Sequence, residues 1–266
     1  MGKDKSEEKE EFIEIEEKDV NEYTQLLKLC GIPIGEVKKN IKDLIKEGGD
    51  NPVITLLEEK GEVYIRVSAE KEGEKSAKKI AKPVIKELKS RFSEKIYTTD
   101  ENTTLEETVV ELLKNNKLTV TTAESCTGGM IAARLVDIPG VSEVFKEGFI
   151  TYSNKSKRLR LGVKKGTLSG KGAVSEQTVK EMLKGAIKSS KADCALAVSG
   201  VAGPDGGTEE KPVGTVYIGC YVGGKATVIE KHFEGDRKYV RECTVTESLA
   251  LLRICLLKYY SEKNFG

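Results

Sequence analysis

The sequence has 266 residues with 44 basic and 43 acidic side chains, so it is long enough for two modest domains and too evenly charged to attract nucleic acid or a membrane as a whole. Its six cysteines form no closely spaced pair, and its apolar runs are too short for a membrane span or a secretion signal, so we expect a cytoplasmic protein with reduced thiols. The single histidine, His232, excludes a zinc site built from several histidines and leaves any Ser-His-Asp hypothesis with one candidate base.

The first hundred residues predict a charged tail and a small α+β domain. Residues 1–11 are dense in charge and are expected to be disordered. The domain is expected over residues 12–99 as a βαββα unit, followed by a short polar linker. Its predicted elements are a weak strand over 12–15, a helix over 37–45 ended by Gly48-Gly49, a hairpin of 53–57 and 63–67 around Lys60-Gly61, and a helix over 77–92 despite Pro83.

Residues 100–266 alternate strand and helix patterns and predict a second, larger domain. Thr104 and Glu107 have the spacing of a capping box at the start of a helix. Further helices are expected over 128–136 and 175–190 and after Gly235-Asp236, and strands over 118–122, 149–152, 194–199, 213–222 and 226–233. Because the last two strands flank Gly223-Gly224 as a hairpin, the sheet combines parallel and antiparallel strands. We therefore predict a three-layer α/β/α fold, in which helices cover both faces of a mixed sheet.

Ligands of such sheets bind beyond the carboxyl ends of the strands, and the loop TTAESCTGG (residues 121–129) lies at one of these ends. Ser125 and Cys126 occupy the turn between a strand and a helix that opens at Gly128 and Gly129, which exposes a side chain next to unpaired backbone amides. This arrangement resembles a nucleophile elbow, in which a strand-to-helix turn exposes the nucleophile, but it lacks the GxSxG sequence of that motif. Two ordinary alternatives stay open, namely a serine or threonine that only caps the helix and a buried structural thiol.

The next strand ends in ITYSNKSK (residues 150–157), a predicted loop that carries Tyr152, Lys155 and Lys157. A lysine after a strand is in most proteins a solvated surface charge. A lysine buried beside a serine, in contrast, has a lowered pKa and can act as the general base that an amide-cleaving serine requires. Tyr152 is expected to contribute to that burial.

Two later segments are candidates for binding a ligand. SGVAGPDGGTEEKPVG (residues 199–214) has five glycines and two prolines between two strands, which predicts a rigid loop whose backbone can approach a ligand closely. EGDRKYVR (residues 234–241) places Arg237 in the first turn of the last helix, where its charge opposes the helix dipole. An anion held between Arg237 and the helix would account for this placement, and a plain surface arginine is the alternative.

Five ordered motifs together carry a family resemblance. TTAESCTGG, TYSNKSK, GAVSEQTV, SGVAGPDGG…KPVGTV and GDR resemble the C-terminal domain of the CinA (competence/damage-inducible) family over about residues 100–260. Residues 12–99 look like the KH-type domain that precedes it in full-length members. The sequence shows no counterpart of the family's larger N-terminal domain, which is linked to ADP-ribose pyrophosphatase activity, so we expect that activity to be absent.

The resemblance implies hydrolysis of the carboxamide of nicotinamide mononucleotide to nicotinate mononucleotide and ammonia. It assigns the role of nucleophile to Ser125 and supporting roles to Tyr152 and to the lysine of a YSNxxK motif. That lysine is Lys157, and Lys155 is the weaker candidate for the base. Neither a metal nor a cofactor is expected, and the protein is expected to form a homodimer or a larger homo-oligomer. The residues expected to bind the substrate are Thr127, Gly128, Gly129, Ser199, Gly200, Gly206, Gly207, Thr208 and Arg237.

Two other classes of function remain as alternatives. The first is a nucleotide-sensing module that keeps the pocket without turnover. The second is RNA binding through residues 12–99, which needs a GxxG loop with basic neighbours. The sequence offers only GIPIG and Gly48-Gly49, and its near-neutral charge argues against this second alternative, so nucleic acid is not an expected partner.

Overall fold

The computed structural model describes residues 21–47 and 51–265. The predicted tail over residues 1–11, the predicted strand over 12–15 and the helix end at Gly48-Gly49 lie outside the described residues.

The N-terminal unit is a four-stranded antiparallel sheet with helices, in the strand order β2-β3-β1-β4. Its elements are β1 (Glu22–Leu29), α1 (Ile34–Asn40), α2 (Lys42–Glu47), β2 (Val53–Glu59), β3 (Glu62–Glu70), α3 (Ala77–Phe92) and β4 (Ile96–Thr98). The predicted hairpin and the helix around Pro83 are confirmed, whereas the single helix predicted over 37–45 is two short helices that meet at Ile41.

The central strand β1 was not predicted from the sequence. Its apolar and polar residues do not alternate strictly, because Gln25 shares a face with Leu27 and Leu29, and Leu26 shares the other face with Lys28. The Lys28 ammonium donates to the carbonyls of Glu101 and Thr103 at 2.6 and 3.0 Å. The burial of Lys28 depends on carbonyls 73 and 75 residues further along the chain, so no local pattern predicts it.

The C-terminal unit is a five-stranded mixed sheet in the order β6-β5-β7-β8-β9, with β6, β5 and β7 parallel and the last two antiparallel. Its elements are α4 (Leu105–Asn115), β5 (Val120–Glu124), α5 (Met130–Val136), β6 (Phe145–Ile150), α6 (Asn154–Leu161), α7 (Lys165–Gly170), α8 (Glu176–Ser190), β7 (Cys194–Gly200), β8 (Thr215–Val222), β9 (Lys225–His232) and α9 (Arg237–Phe265). The capping box of Thr104 and Glu107 is present at the start of α4.

Helices cover both faces of this sheet, which confirms the predicted three-layer fold. Along β7, Leu196 and Val198 pack with α4, α5 and α9, whereas Ala195 and Ala197 pack with α6 and α8 on the other face. A parallel strand buried on both faces shows a continuous apolar run, as CALAV does here. No helix among residues 21–47 and 51–265 combines the length and apolarity needed to span a membrane.

The carboxyl ends of the parallel strands meet at one edge of the sheet, since Glu124 at the end of β5 is in register with both Ile150 of β6 and Val198 of β7. The residues that follow these strands are therefore neighbours in space. One expectation needs correction, because residues 154–157 are not a loop but the first turn of α6. Ser153 caps this helix and exchanges hydrogen bonds with Ser156, which stabilises a helix start directly after the strand.

Candidate active site

Ser125 lies in the turn that directly follows β5. Its amide donates to the carbonyl of Val198 at 3.1 Å, so the backbone is fixed to β7, and its side chain is almost buried. The chain then reverses through Gly128 and Gly129, whose φ angles of +62° and +100° are left-handed and favour glycine. The two glycines are thus needed for the turn that presents Ser125.

Glu124, which precedes the serine, holds the start of α5. Its carboxylate is 1% exposed and accepts hydrogen bonds from the amides of Gly129, Ile131 and Ala132 and from the hydroxyl of Thr127. A carboxylate at a helix N-terminus satisfies free amides and complements the dipole. Because Glu124 accepts from these amides, they are not the unpaired amides that the sequence predicted next to the turn, and the Thr127 hydroxyl is bound to Glu124.

Two other amides lie next to the serine. Among the described residues, no oxygen accepts a hydrogen bond from the amide of Cys126 or from that of Thr127, and both amides approach the Cys126 sulfur, a weak acceptor. They belong to the two residues after Ser125, the position from which a nucleophile elbow supplies its oxyanion donor. The site therefore keeps a pair of backbone donors beside the serine hydroxyl.

Lys157 is the side chain that contacts Ser125. It is 1% exposed, and its Nζ lies 2.8 Å from Ser125 Oγ, 2.9 Å from the carbonyl oxygen of Thr151 and 3.4 Å from that of Tyr152. Burial lowers the pKa of the Lys157 ammonium from 10.5 to about 8. Lys157 and Leu161 are four residues apart and form the buried face of α6, so the helix directs the amine to the end of β5.

Tyr152 and Arg237 lie at the rim of the site. The Tyr152 ring is 62% exposed, so it does not bury the lysine as expected; the residue contributes its carbonyl instead. Arg237 donates to the Tyr152 hydroxyl at 3.1 Å and to the carbonyl of Gly203 at 2.6 Å. Arg237 thus joins the segment before α6 to the glycine-rich loop between β7 and β8.

Two family models match the chain in tandem. The CinA C-terminal domain matches residues 102–256, and the KH domain of the damage-inducible protein CinA matches residues 24–98. The chain belongs to the CinA family.

Individual relatives agree with this assignment. A CinA-like protein of Kosmotoga olearia is 45% identical over 235 residues, which cover 88% of this chain and 57% of that protein, so the chain spans little more than half the length of the curated relatives it matches. The crystal structure of the competence/damage inducible protein CihA from Agrobacterium tumefaciens is 42% identical, with a TM-score of 0.56 over 57% of this chain and 93% of that one. A CinA superfamily protein from Escherichia coli is 33% identical, with a TM-score of 0.55 over 62% of this chain and 98% of that one.

In this CinA-family chain, two of the residues expected to bind the substrate, Ser199 and Gly200, make structural contacts, and their binding role stays a prediction. Ser199 is 1% exposed and donates its hydroxyl to the carbonyl of Ala173 at 2.8 Å. Gly200 allows β7 to approach β8, since a Cβ there would lie 2.6 Å from Val216 Cγ2 and 2.9 Å from the carbonyl of Thr215. Neither residue has a polar side-chain atom available for a ligand.

The tip of the CinA glycine-rich loop is accessible. Gly206 has a φ of +90°, and Gly207 packs so closely on Val213 that a Cβ would lie 2.8 Å from its amide nitrogen. Thr208 is exposed and forms a turn with Lys211, whose amide donates to the Thr208 hydroxyl at 3.0 Å. The expected binding role of these three residues stays a prediction.

The rival candidates for nucleophile and base lie apart from this pair or are chemically unsuited. Burial raises the pKa of the Cys126 thiol to about 11, so little thiolate is present at neutral pH. Lys155 is exposed on the outer surface of α6. His232 ends β9, an edge strand that is three strands away from β5. Among the described residues, no group of three or more His, Cys, Asp or Glu side chains is placed to hold a metal ion.

The buried amine of Lys157 predicts a characteristic pH dependence of stability. Below pH 8 the Lys157 amine is protonated in both the folded and the unfolded state, so the folded protein carries a buried charge. Between pH 8 and 10.5 only the unfolded chain binds this proton. The free energy of unfolding therefore rises with pH in this window. Relative to Lys157→Met, the wild type is expected to gain about 2–3 kcal/mol between pH 7 and pH 10. Urea unfolding of both proteins at the two pH values measures this, and a constant difference would contradict the lowered pKa.

Proposed function

We propose that the chain hydrolyses the carboxamide of nicotinamide mononucleotide to nicotinate mononucleotide and ammonia. The observation that carries the proposal is the 2.8 Å contact between the buried Nζ of Lys157 and Ser125 Oγ at the strand ends. An amide-cleaving serine needs a base within hydrogen-bond distance and donors for the oxyanion, and both groups are adjacent here. The identity of the substrate follows from the resemblance of the motifs around these residues to the CinA amidohydrolase domain.

The surroundings of Lys157 suit a neutral amine acting as base. A neutral amine has two N–H groups and one lone pair. With the N–H groups donated to the carbonyls of Thr151 and Tyr152, the lone pair is left for the hydroxyl hydrogen of Ser125. The two carbonyls therefore orient the base, and burial keeps a useful fraction of it neutral, since a pKa of about 8 lies close to working pH.

The reaction proceeds in two halves. Ser125 Oγ attacks the carboxamide carbon while its proton passes to the Lys157 amine, and the amides of Cys126 and Thr127 stabilise the oxyanion. The Lys157 ammonium then gives that proton to the departing nitrogen, which leaves as ammonia. Water attacks the resulting ester of Ser125 and passes one proton to Lys157. The ester bond then breaks, that proton returns to Ser125 Oγ, and the carboxylic acid leaves and loses its own proton to solvent to become the carboxylate.

The substrate's charges match the rim of the site. The guanidinium of Arg237 and the exposed loop tip at Gly206, Gly207 and Thr208 are proposed to hold the phosphate. The pyridinium ring carries a fixed positive charge, which would lower the pKa of Lys157 further in the complex.

We propose that the chain consists of two domains, which divide at residues 99 and 100, between β4 and α4. We propose that the protein works in the cytoplasm as a homodimer or larger homo-oligomer and takes part in pyridine nucleotide recycling.

An ammonia-release assay on nicotinamide, its riboside, its mononucleotide and the dinucleotide tests the activity. The mononucleotide is expected to be the best substrate. Binding of the mononucleotide without release of ammonia would instead support the alternative of a nucleotide-sensing module.

Arg237→Ala tests phosphate recognition. Because a charge-assisted contact contributes about 1.5–3 kcal/mol, KM for the mononucleotide should rise about ten- to a hundredfold, whereas KM for the riboside should change little. Lys238→Ala is the matched control, since Lys238 is the next residue of α9 and its side chain is 81% exposed. Equal losses for both substrates would leave Arg237 with a purely structural role.

A further inference from the structure

Arg241 contacts the nucleophile turn from α9. Its Nε donates to the carbonyl of Cys126 at 3.1 Å, and its Nη2 donates to the carbonyl of Thr127 at 2.9 Å. A Cβ at Gly128 would make only an ordinary contact of 3.8 Å with Arg241 Nη2, so the positive φ of this residue, and not the guanidinium, favours glycine there. One rigid planar group thus fixes two consecutive peptide carbonyls directly after Ser125.

These contacts determine where the neighbouring amides point. The peptide between Cys126 and Thr127 is trans, so its carbonyl and its N–H point in opposite directions. Because the carbonyl points at α9, the N–H of Thr127 points away from that helix. Helix α9 packs on one face of the sheet, and α6 with Lys157 packs on the other.

We infer that Arg241 is a positioning residue: by holding the carbonyl of Cys126, it presents the N–H of the same peptide, the amide of Thr127, to the oxyanion that forms during acyl transfer. The inference rests on the proposed amidohydrolase function and adds a residue to its machinery. Arg241 acts through the backbone of the turn, since its Nε and Nη2 both donate to carbonyls of that turn.

The helix that carries Arg241 is held from its other side by the N-terminal unit. The Tyr239 hydroxyl donates to Glu58 at 2.7 Å, and the Thr246 hydroxyl donates to the carbonyl of Lys60 at 2.7 Å. These residues lie on the side of α9 opposite to Arg237 and Arg241. The β2–β3 hairpin therefore fixes the helix from which Arg241 acts, which gives the first unit a structural part in the site.

Arg241→Gln and Arg241→Lys test the inference, with Lys238→Ala as control on the same helix. Two reactions are measured. The first is ammonia release from nicotinamide mononucleotide, which gives kcat and KM. The second is acylation of the serine by p-nitrophenyl acetate, whose rate is monitored through the release of p-nitrophenol. Loss of one oxyanion donor costs about 10²–10³ in kcat, so Arg241→Gln is expected to lower kcat and acylation about a hundredfold in parallel. KM should stay within about threefold and the pH midpoint of activity should not move, because neither phosphate recognition nor Lys157 changes. The lysine variant keeps the charge but cannot hold both carbonyls in one plane, so it should recover only part of the loss.

Two results overturn the positioning role: a folded Arg241→Gln protein with kcat within about threefold of the wild type, or a loss that lies entirely in KM. Circular dichroism and thermal melting establish that each variant is folded at the assay temperature, and Arg241→Lys preserves the charge if glutamine does not fold. The ester distinguishes this inference from the proposed function. If the wild type releases no ammonia from the mononucleotide but Arg241→Gln still slows acylation a hundredfold, the substrate assignment fails and the positioning role stands.

Discussion

Ser125→Ala is expected to abolish ammonia release from nicotinamide mononucleotide while leaving the fold nearly unchanged. Loss of a nucleophile costs several decades in kcat, because the remaining groups cannot form the covalent intermediate. The fold should persist, since the backbone of Ser125 keeps its hydrogen bond to Val198 and the Lys157 amine keeps its hydrogen bonds to the carbonyls of Thr151 and Tyr152. Ammonia release by purified variant and wild type, with thermal melting of both, measures the effect.

Cys126→Ala is the control for this experiment because the neighbouring thiol is the rival nucleophile. Its high pKa and burial predict that Cys126→Ala retains activity within about tenfold of the wild type. Activity of Ser125→Ala within about tenfold of the wild type, together with an inactive Cys126→Ala, would assign the nucleophile to the thiol.

The place of the site was predictable because it depends on local patterns. Strand ends are visible in TTAESCTGG and TYSNKSK, a glycine turn and a helix start are visible in the first of them, and parallel strands bring their carboxyl ends to one edge of a sheet. Ser125 and Lys157 are 32 residues apart and meet because β5 and β6 are adjacent and parallel.

Other features depend on tertiary contacts and were not predictable in this way. The sequence alone does not show that α6 begins at Asn154, which buries Lys157 and exposes Lys155. The role of Glu124 was missed although its signal was present: a carboxylate directly before a glycine-rich helix start is suited to bind the free amides there. The contacts of Arg241 join α9 to a turn more than a hundred residues earlier, and no local pattern indicates them.

Lys157→Met is expected to be as damaging as Ser125→Ala. Methionine fills a similar volume but cannot take the proton of Ser125, so kcat should again fall by several decades. Because the two residues act as one unit, the double variant should be no slower than either single one. Lys155→Ala should be much milder and His232→Ala nearly silent, since the first is exposed on α6 and the second lies three strands from β5.

The pH dependence separates the lysine mechanism from a histidine one. Activity requires the neutral amine, so kcat/KM of the wild type should rise with pH through a midpoint of about 8, the pKa of Lys157 in the free protein. In kcat the midpoint should lie lower, because the pyridinium of the bound substrate disfavours the charged ammonium. A kcat/KM profile that titrates near 6.5, the ordinary pKa of histidine, and that disappears in His232→Ala would overturn the lysine mechanism. A fully active Lys157→Met protein would do the same, because the chain would then hydrolyse the amide without the one amine in contact with Ser125 Oγ among the described residues.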